Sequence, residues 1–244
     1  MGLNPPSTHP MPLSTVQQRT DASPLTKASA SAARKARFWD RIARQYAADP
    51  IADMAGYEAT LRRVQSLLST DQDVLEIGCG TGSTALRLAP HTRRLLATDV
   101  SARMIDIARE KLAAQPVPHL SFTMADADAD APVFGQEKFH RVLAFNLLHL
   151  VSDLDQALSL AVQALRPGGL LISKTACISE MNPLIPWLAI PLMRAIGKAP
   201  HVLCFNGETL ASAMERQGLE IVSVERHGTR GKDIRVFIVA RKPA

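Results

Sequence analysis

Residues 74–84 read VLEIGCGTGST, an apolar run that passes into three glycines at every second position and then into residues that start a helix. Glycine is needed where the backbone takes φ > 0 or approaches a ligand without an intervening Cβ. The pattern therefore predicts a buried strand, a tight loop and a helix. The loop is either a ligand-binding loop or a plain strand-to-helix turn, and the regular glycine spacing favours the first.

The glycine spacing separates the ligand classes that use such loops. A triphosphate-binding loop needs a lysine after its last glycine, and none follows here, so nucleoside triphosphates are excluded. A dinucleotide loop has the pattern G-x-G-x-x-G, whereas the position five after Gly78 is Ser83 and the third glycine is Gly82. An NAD-dependent oxidoreductase therefore remains only as an alternative.

The sequence on either side of the loop alternates short β-rich runs with amphipathic helices, which is typical of a parallel, doubly wound α/β sheet. Helices are predicted from about Ser83, after Ser101, over 154–165 and over 208–217. The predicted strands cover 74–77, 94–99, 120–125, 141–145, 170–174, 220–226 and 233–240.

The chain divides into three predicted parts. Residues 1–33 are rich in Pro, Ser, Thr and Ala without apolar periodicity, so we expect a disordered tail. Residues 34–72 are expected to form cap helices, and residues 73–244 the ligand-binding domain. An apolar, proline-interrupted insert is predicted over 175–206.

An acid followed by G-x-G-x-G resembles the first motif of the class I S-adenosylmethionine-dependent methyltransferases, matched by Glu76, Gly78, Gly80 and Gly82. The opening FWDRIA at 38–43 is similar to the branch containing the ubiquinone and menaquinone methyltransferases. The resemblance implies a Rossmann-like α/β fold, with a seven-stranded, mostly parallel sheet whose last strand is antiparallel. It also implies S-adenosylmethionine as the cofactor.

The same resemblance assigns residues to the two ends of the reaction. Asp99 is expected at the ribose, because one carboxylate can accept both hydroxyls of a diol, and Asn146 follows the fourth strand. His149 is the candidate general base. The residues expected to bind the cofactor are Glu76, Gly78, Cys79, Gly80, Gly82, Asp99, Val100, Met104, Asp126, Ala127 and Asn146.

The acceptor is predicted to be a small molecule, because the [DNS]-P-P-[FYW] motif of nucleic-acid methyltransferases and a Pro-Cys nucleophile are both absent. Trp39, Tyr46 and Trp187 are expected to wall an apolar pocket for a lipophilic or aromatic acceptor. The insert is too short to cross a bilayer but long enough to rest on a membrane surface. A catalytically silent binding module of the same fold remains an alternative.

Composition limits the remaining classes of partner. The net charge is +5 and the three cysteines form no CxxC pair, so neither a disulfide framework nor a thiolate zinc site is expected and a reducing cytoplasm fits best. Basic residues lie mainly near the two ends without interleaved aromatics, so no nucleic-acid partner is expected. The acids at 126, 128 and 130 lack the pattern of a calcium loop, and no metal is expected. The sequence leaves the oligomeric state open.

Overall fold

Seven β-strands form one sheet in the computed structural model, which describes residues 1, 24–129, 139–181, 184, 192–193, 199–231 and 233–244. Their order across the sheet is β3-β2-β1-β4-β5-β7-β6. The strands are β1 Asp73–Ile77, β2 Arg94–Asp99, β3 Leu120–Met124, β4 Phe139–Phe145, β5 Leu165–Ala176, β6 Glu220–Glu225 and β7 Arg235–Arg241.

The first five strands are parallel, and β7 runs antiparallel to both of its neighbours, β5 and β6. This arrangement confirms the predicted fold class. The strand order reverses between β1 and β4, and a parallel sheet opens a crevice at the carboxyl ends of its strands at such a point. The ends of β1, β2, β3 and β4 therefore meet at one edge.

Six α-helices are bounded in the described part of the chain, and side-chain caps fix where several of them begin. Ser101 Oγ, for example, accepts a hydrogen bond from the Met104 N–H at 3.1 Å. None of the described helices is both long and apolar enough to cross a membrane. The helices are α1 Pro24–Ala48, α2 Met54–Gln65, α3 Ser83–Leu88, α4 Ala102–Ala114, α5 Leu154–Ala164 and α6 Gly207–Arg216.

The sheet has a hydrophobic core on each face, because successive side chains of a strand point to opposite sides. Leu75 and Ile77 of β1 pack in the cluster that includes residues of α5 and α6. Val74 packs on the other face, in the cluster that includes residues of α2, α3 and α4. Such burial on both faces is typical of parallel sheets covered by helices on either side.

The helices and strands of the structure differ from two of the predicted boundaries. Residues 24–33 were assigned to the disordered tail but belong to α1, because the alanine-rich sequence there has high helix propensity and Pro24 stands at a helix start, where its missing N–H costs nothing. The insert was expected from residue 175, but β5 continues to Ala176 by pairing with β7. Trp187 and residues 2–23 of the predicted tail lie outside the described residues.

The glycine loop between β1 and α3 is held by packing at two of its three glycines. Gly78, Gly80 and Gly82 all have positive φ, between 54° and 74°. A Cβ on Gly78 would lie 2.6 Å from Leu147 Cδ1, and one on Gly82 would lie 2.7 Å from Phe122 Cζ. The first and third glycines therefore let the loop pack closely on its surroundings.

We expect Gly82→Ala to lower the free energy of unfolding by on the order of 2 to 5 kcal/mol. The left-handed backbone costs about 1–2 kcal/mol for an L residue, and overpacking against Phe122 adds about 1–3 kcal/mol. Urea-induced unfolding followed by circular dichroism measures the difference.

Gly218→Ala is the matched control, since Gly218 has φ of 80° and a Cβ there would meet nothing within 4 Å. It should show the backbone cost alone, about 1–2 kcal/mol. Equal losses for the two variants would contradict the close packing of Gly82.

Candidate active site

A cleft enclosing about 860 Å³ lies at the edge of the sheet where β1 to β4 end, and we call it the central cleft. Lys35, Trp39 and Tyr46 of α1 also line it. The residues of the central cleft that were predicted to bind the cofactor are Glu76, Gly78, Cys79, Gly80, Asp99, Val100, Met104, Asp126, Ala127 and Asn146.

Glu76 carries a buried carboxyl group in the central cleft. The residue is 2% exposed, and its Oε2 has no hydrogen-bond partner among the described residues. Burial, together with the nearby charge of Asp99, raises the pKa of Glu76 to about 8. A buried carboxylate without a partner is costly, so a ligand that supplies positive charge or N–H donors would be stabilised here.

Asp99, at the end of β2, holds the glycine loop in place. Its Oδ2 accepts a hydrogen bond from the Gly80 N–H, and its Oδ1 accepts one from the Ser101 N–H, both at 2.9 Å. Burial raises the pKa of Asp99 despite these two bonds. The carboxylate also lines the cleft, and each of its oxygens can accept a further hydrogen bond from a ligand hydroxyl.

Asp126, just after β3, is paired with a lysine from α1. Lys35 Nζ lies 2.5 Å from Asp126 Oδ1 and also contacts the carboxylate of Asp128. Burial, together with the neighbouring carboxyl group of Asp128, raises the pKa of Asp126. Lys35 therefore fixes α1 over this end of the cleft. The sequence analysis missed this contact because it counted Lys35 only among the basic residues near the ends of the chain.

The three glycines of the loop have different surroundings. A Cβ on Gly80 would meet only Tyr46 Cε1, at 3.8 Å, so this glycine faces open space in the cleft. Gly82 was predicted to bind the cofactor but does not line the cleft, because it packs on Phe122 and Ala108. The spacing of the motif could not separate these roles.

A second cavity, of about 1280 Å³, adjoins the central cleft, and we call it the side cavity. It lies between α2 and the ends of β4 and β5, with Asp53, Tyr57, Thr60, Lys174 and Arg235 in its lining. The residues that line both cavities are Tyr46, Cys79, Thr84, Phe145 and Asn146. The sequence offered one signal for this cavity, an ionisable lysine within the apolar run LLISKTA at 170–176.

Asn146 and His149, two polar residues after β4, differ in whether they line the cavities. Asn146 has a φ of 52°, in the left-handed region, and lines both cavities. Strained backbone of this kind is concentrated at functional sites. His149 lines neither cavity; burial lowers its pKa to about 4, and its Nδ1 has no hydrogen-bond partner among the described residues. Its role as base stays a prediction.

Two of the three residues predicted to wall the acceptor pocket are among the described residues. Trp39 lines the central cleft and Tyr46 lines both cavities. Their rings meet edge to face, with centroids 6.2 Å apart. Trp187 lies outside the described residues, so its place in the pocket stays a prediction.

Residues 74–169 match the family described as a methyltransferase domain. This segment of the chain is a methyltransferase domain. The predictions of family, fold and cofactor class are thereby confirmed, while the ubiquinone-like branch stays a prediction. Among the residues that the structure describes, no group of three or more His, Cys, Asp or Glu side chains could hold a metal ion.

Two relatives support the methyltransferase assignment, and a solved structure shares the fold. The chain is 34% identical over 125 residues to the iterative polyketide synthase afoE of Emericella nidulans, covering 47% of this chain and 4% of the synthase. It is 25% identical to the O-methyltransferase cnsE of Penicillium expansum, covering 77% of this chain and 65% of that protein. A methyltransferase structure from Thermotoga maritima shares the fold, with a TM-score of 0.64, 21% identity and coverage of 85% of this chain and 99% of that one.

The raised pKa of Glu76 predicts a pH-dependent stability. Because the folded-state pKa is about 8 and the ordinary value is 4.5, the native protein binds more protons than the unfolded chain between these two pH values. Stability is therefore lost as the pH rises through this range. Glu76→Gln mimics the protonated acid at every pH. Its free energy of unfolding, relative to that of the wild type, should therefore rise by on the order of 2 to 3 kcal/mol from about pH 5.5 to about pH 8.5.

Urea unfolding of the ligand-free protein at the two pH values measures this gain. Glu215→Gln, at an exposed position of α6, controls for general effects of removing a carboxylate. A constant difference between Glu76→Gln and the wild type at both pH values would show that Glu76 is ionised at neutral pH in the folded protein.

Proposed function

We propose that this protein transfers a methyl group from S-adenosylmethionine, bound in the central cleft, to a small molecule bound in the side cavity. The buried carboxyl group of Glu76 is the observation that carries the proposal. It offers an acceptor oxygen without a described partner, next to open space at Gly80. S-adenosylmethionine carries an ammonium and a sulfonium and has no phosphate, so a carboxylate suits it better than a lysine would.

The other two carboxylates of the cleft suit the remaining parts of the cofactor. Asp99 would hold the ribose hydroxyls, since it lines the cleft and its backbone donors fix its orientation. Asp126 would lie at the amino group of the adenine, with Ala127 beside the ring. When bound, the cofactor supplies an electrophilic methyl group on sulfur.

The side cavity is the proposed acceptor site because five residues line both cavities. An in-line displacement requires the acceptor atom to face the methyl carbon, and most of the rate gain comes from holding that geometry. Tyr46 and Asn146, at the junction, would position the acceptor, while Tyr57, Leu61 and Phe145 would contact an apolar or aromatic body. Relatives named as a polyketide synthase and an O-methyltransferase support a small organic acceptor.

Gly80→Arg should abolish binding of S-adenosylmethionine, with a loss of affinity of about a hundredfold or more. The new side chain would project into the open space of the cleft and add a positive charge beside a cationic ligand. Isothermal titration calorimetry with S-adenosylmethionine, S-adenosylhomocysteine and NAD measures the affinity. Release of S-adenosylhomocysteine over a panel of phenols, quinols and amines then tests turnover.

Gly218→Arg provides the control, since it imposes the same left-handed backbone strain at a glycine that has open space and does not line the cleft. It should bind the cofactor like the wild type. Wild-type affinity in Gly80→Arg would refute the cleft assignment, and tighter binding of NAD would favour an oxidoreductase. Cofactor binding without turnover on any acceptor would favour a silent binding module.

The general base is proposed separately. His149 is neutral at pH 7 because burial lowers its pKa to about 4, so its imidazole can accept a proton. If it is the base, His149→Ala should lower turnover about a hundredfold without changing cofactor affinity. His119→Ala, at a partly buried histidine outside both cavities, is the control. Turnover at the wild-type level in His149→Ala would make it a structural residue.

A further inference from the structure

Lys174 is a buried charged residue in the wall of the side cavity. It lies near the carboxyl end of β5 and is 7% exposed. On the same face of the strand, two residues earlier, Ile172 packs in the hydrophobic core. An apolar side chain would fit this face without the cost of burying an ammonium group, so the lysine calls for a functional explanation.

The ammonium group of Lys174 has one described hydrogen bond. Nζ donates to Thr60 Oγ1 at 2.7 Å, which leaves two N–H donors of the three that a lysine carries. In the described part of the chain, no carboxylate forms an ion pair with it. Lys174 lines the side cavity, and donors left over in a cavity wall are available to whatever the cavity holds.

The acids nearest to Lys174 are already satisfied by other donors. Asp53 accepts hydrogen bonds from the Gly56 N–H and from both the N–H and the hydroxyl of Thr229. These bonds, those from Thr229 above all, hold the pKa of Asp53 well below its ordinary value. Asp233 accepts from the backbone N–H groups of Gly228 and Arg235. Neither acid needs the lysine to be stable.

The charged residues that line the side cavity are two acids and two cations, Asp49, Asp53, Lys174 and Arg235. Asp49 is exposed, and Arg235 is paired with Asp233, its Nε lying 3.4 Å from Asp233 Oδ1. Of the two cations, Lys174 is therefore the one without an ion pair among the described residues. Thr60 is itself fixed, since its hydroxyl donates to the Gly56 carbonyl oxygen at 2.8 Å and contacts His227 Nδ1 at 3.1 Å. Thr60 therefore holds the ammonium group in one position, as a binding site for a small anionic group requires.

We propose that Lys174 determines acceptor specificity by binding a compact anionic group, a carboxylate or a phosphate, on the acceptor molecule in the side cavity. This inference rests on the proposed function, which places the acceptor there. The preferred acceptor then has an apolar or aromatic body and a negative charge, with the methyl-accepting atom directed toward the junction at Tyr46 and Asn146. A hydrogen bond to a charged group in such a site accounts for about tenfold or more in affinity.

Calorimetry with the S-adenosylhomocysteine complex tests the proposal with three probes that share a 4-hydroxyphenyl body. These are 4-hydroxybenzoate, 4-hydroxyphenyl phosphate and the neutral 4-hydroxybenzamide. The wild type should bind at least one anion about tenfold or more tightly than the amide, and the stronger of the two identifies the anionic group. Lys174→Met should reduce this preference to about one. Lys174→Gln, which keeps a polar side chain at Thr60 without the charge, should do the same.

Arg166→Met is the matched control, because it removes one positive charge from the opposite end of the same strand, at an exposed position. It should keep the wild-type preference. Equal binding of all three probes by the wild type overturns the proposal even if a variant fails to fold, as does a preference that persists in Lys174→Met or Lys174→Gln. Failure of the proposed function is recognised separately, because the wild type itself would then not bind S-adenosylmethionine.

Discussion

The glycine turn between β1 and α3 fixes the shape of the cleft at the carboxyl ends of the strands. Gly78 and Gly82 take left-handed conformations against Leu147 and Phe122, so the loop is closely packed on the side that faces the protein. Gly80 has the same handedness but faces the cleft, and its N–H is held by Asp99. Because the two outer glycines leave the loop little freedom to shift, the open space at Gly80 is part of the folded scaffold and does not depend on a ligand to form.

Three carboxylates meet at this edge of the sheet, and the protein stabilises each in a different way. Lys35 neutralises Asp126, backbone N–H groups bind Asp99, and Glu76 keeps an oxygen for which the described residues supply no donor. Burial raises the pKa of each of the three carboxyl groups, and the charge of Asp99 adds to the effect at Glu76. A cationic ligand stabilises the ionised form of such buried carboxylates, whereas a phosphate would be repelled by it.

Much of the fold could be predicted because the signals were local. The glycine motif, the apolar strands and the capping residue Ser101 each act within a few positions of the chain, and the carboxylates at strand ends followed from the topology. The contributions of Lys35 and Lys174 could not be predicted in this way. Lys35 meets Asp126 across 91 positions and Lys174 meets Thr60 across 114, and no periodicity in the sequence records such a pairing. The packing of Gly82 likewise depends on Phe122, a residue of another strand.

The position of α1 links the cap to the ligand site. Its Lys35 binds Asp126, its Asp40 accepts a hydrogen bond from the Ser101 hydroxyl at 2.6 Å, and its Tyr46 lies at the junction of the two cavities. Any ligand that Asp126 binds shares this carboxylate with Lys35, so the free energy that holds α1 in place is also part of the free energy of binding. Since Tyr46 is on the same helix, a shift of α1 at Asp126 would also move the wall of the side cavity. Ligands of the central cleft and of the side cavity would thus be coupled through one helix rather than through direct contact alone.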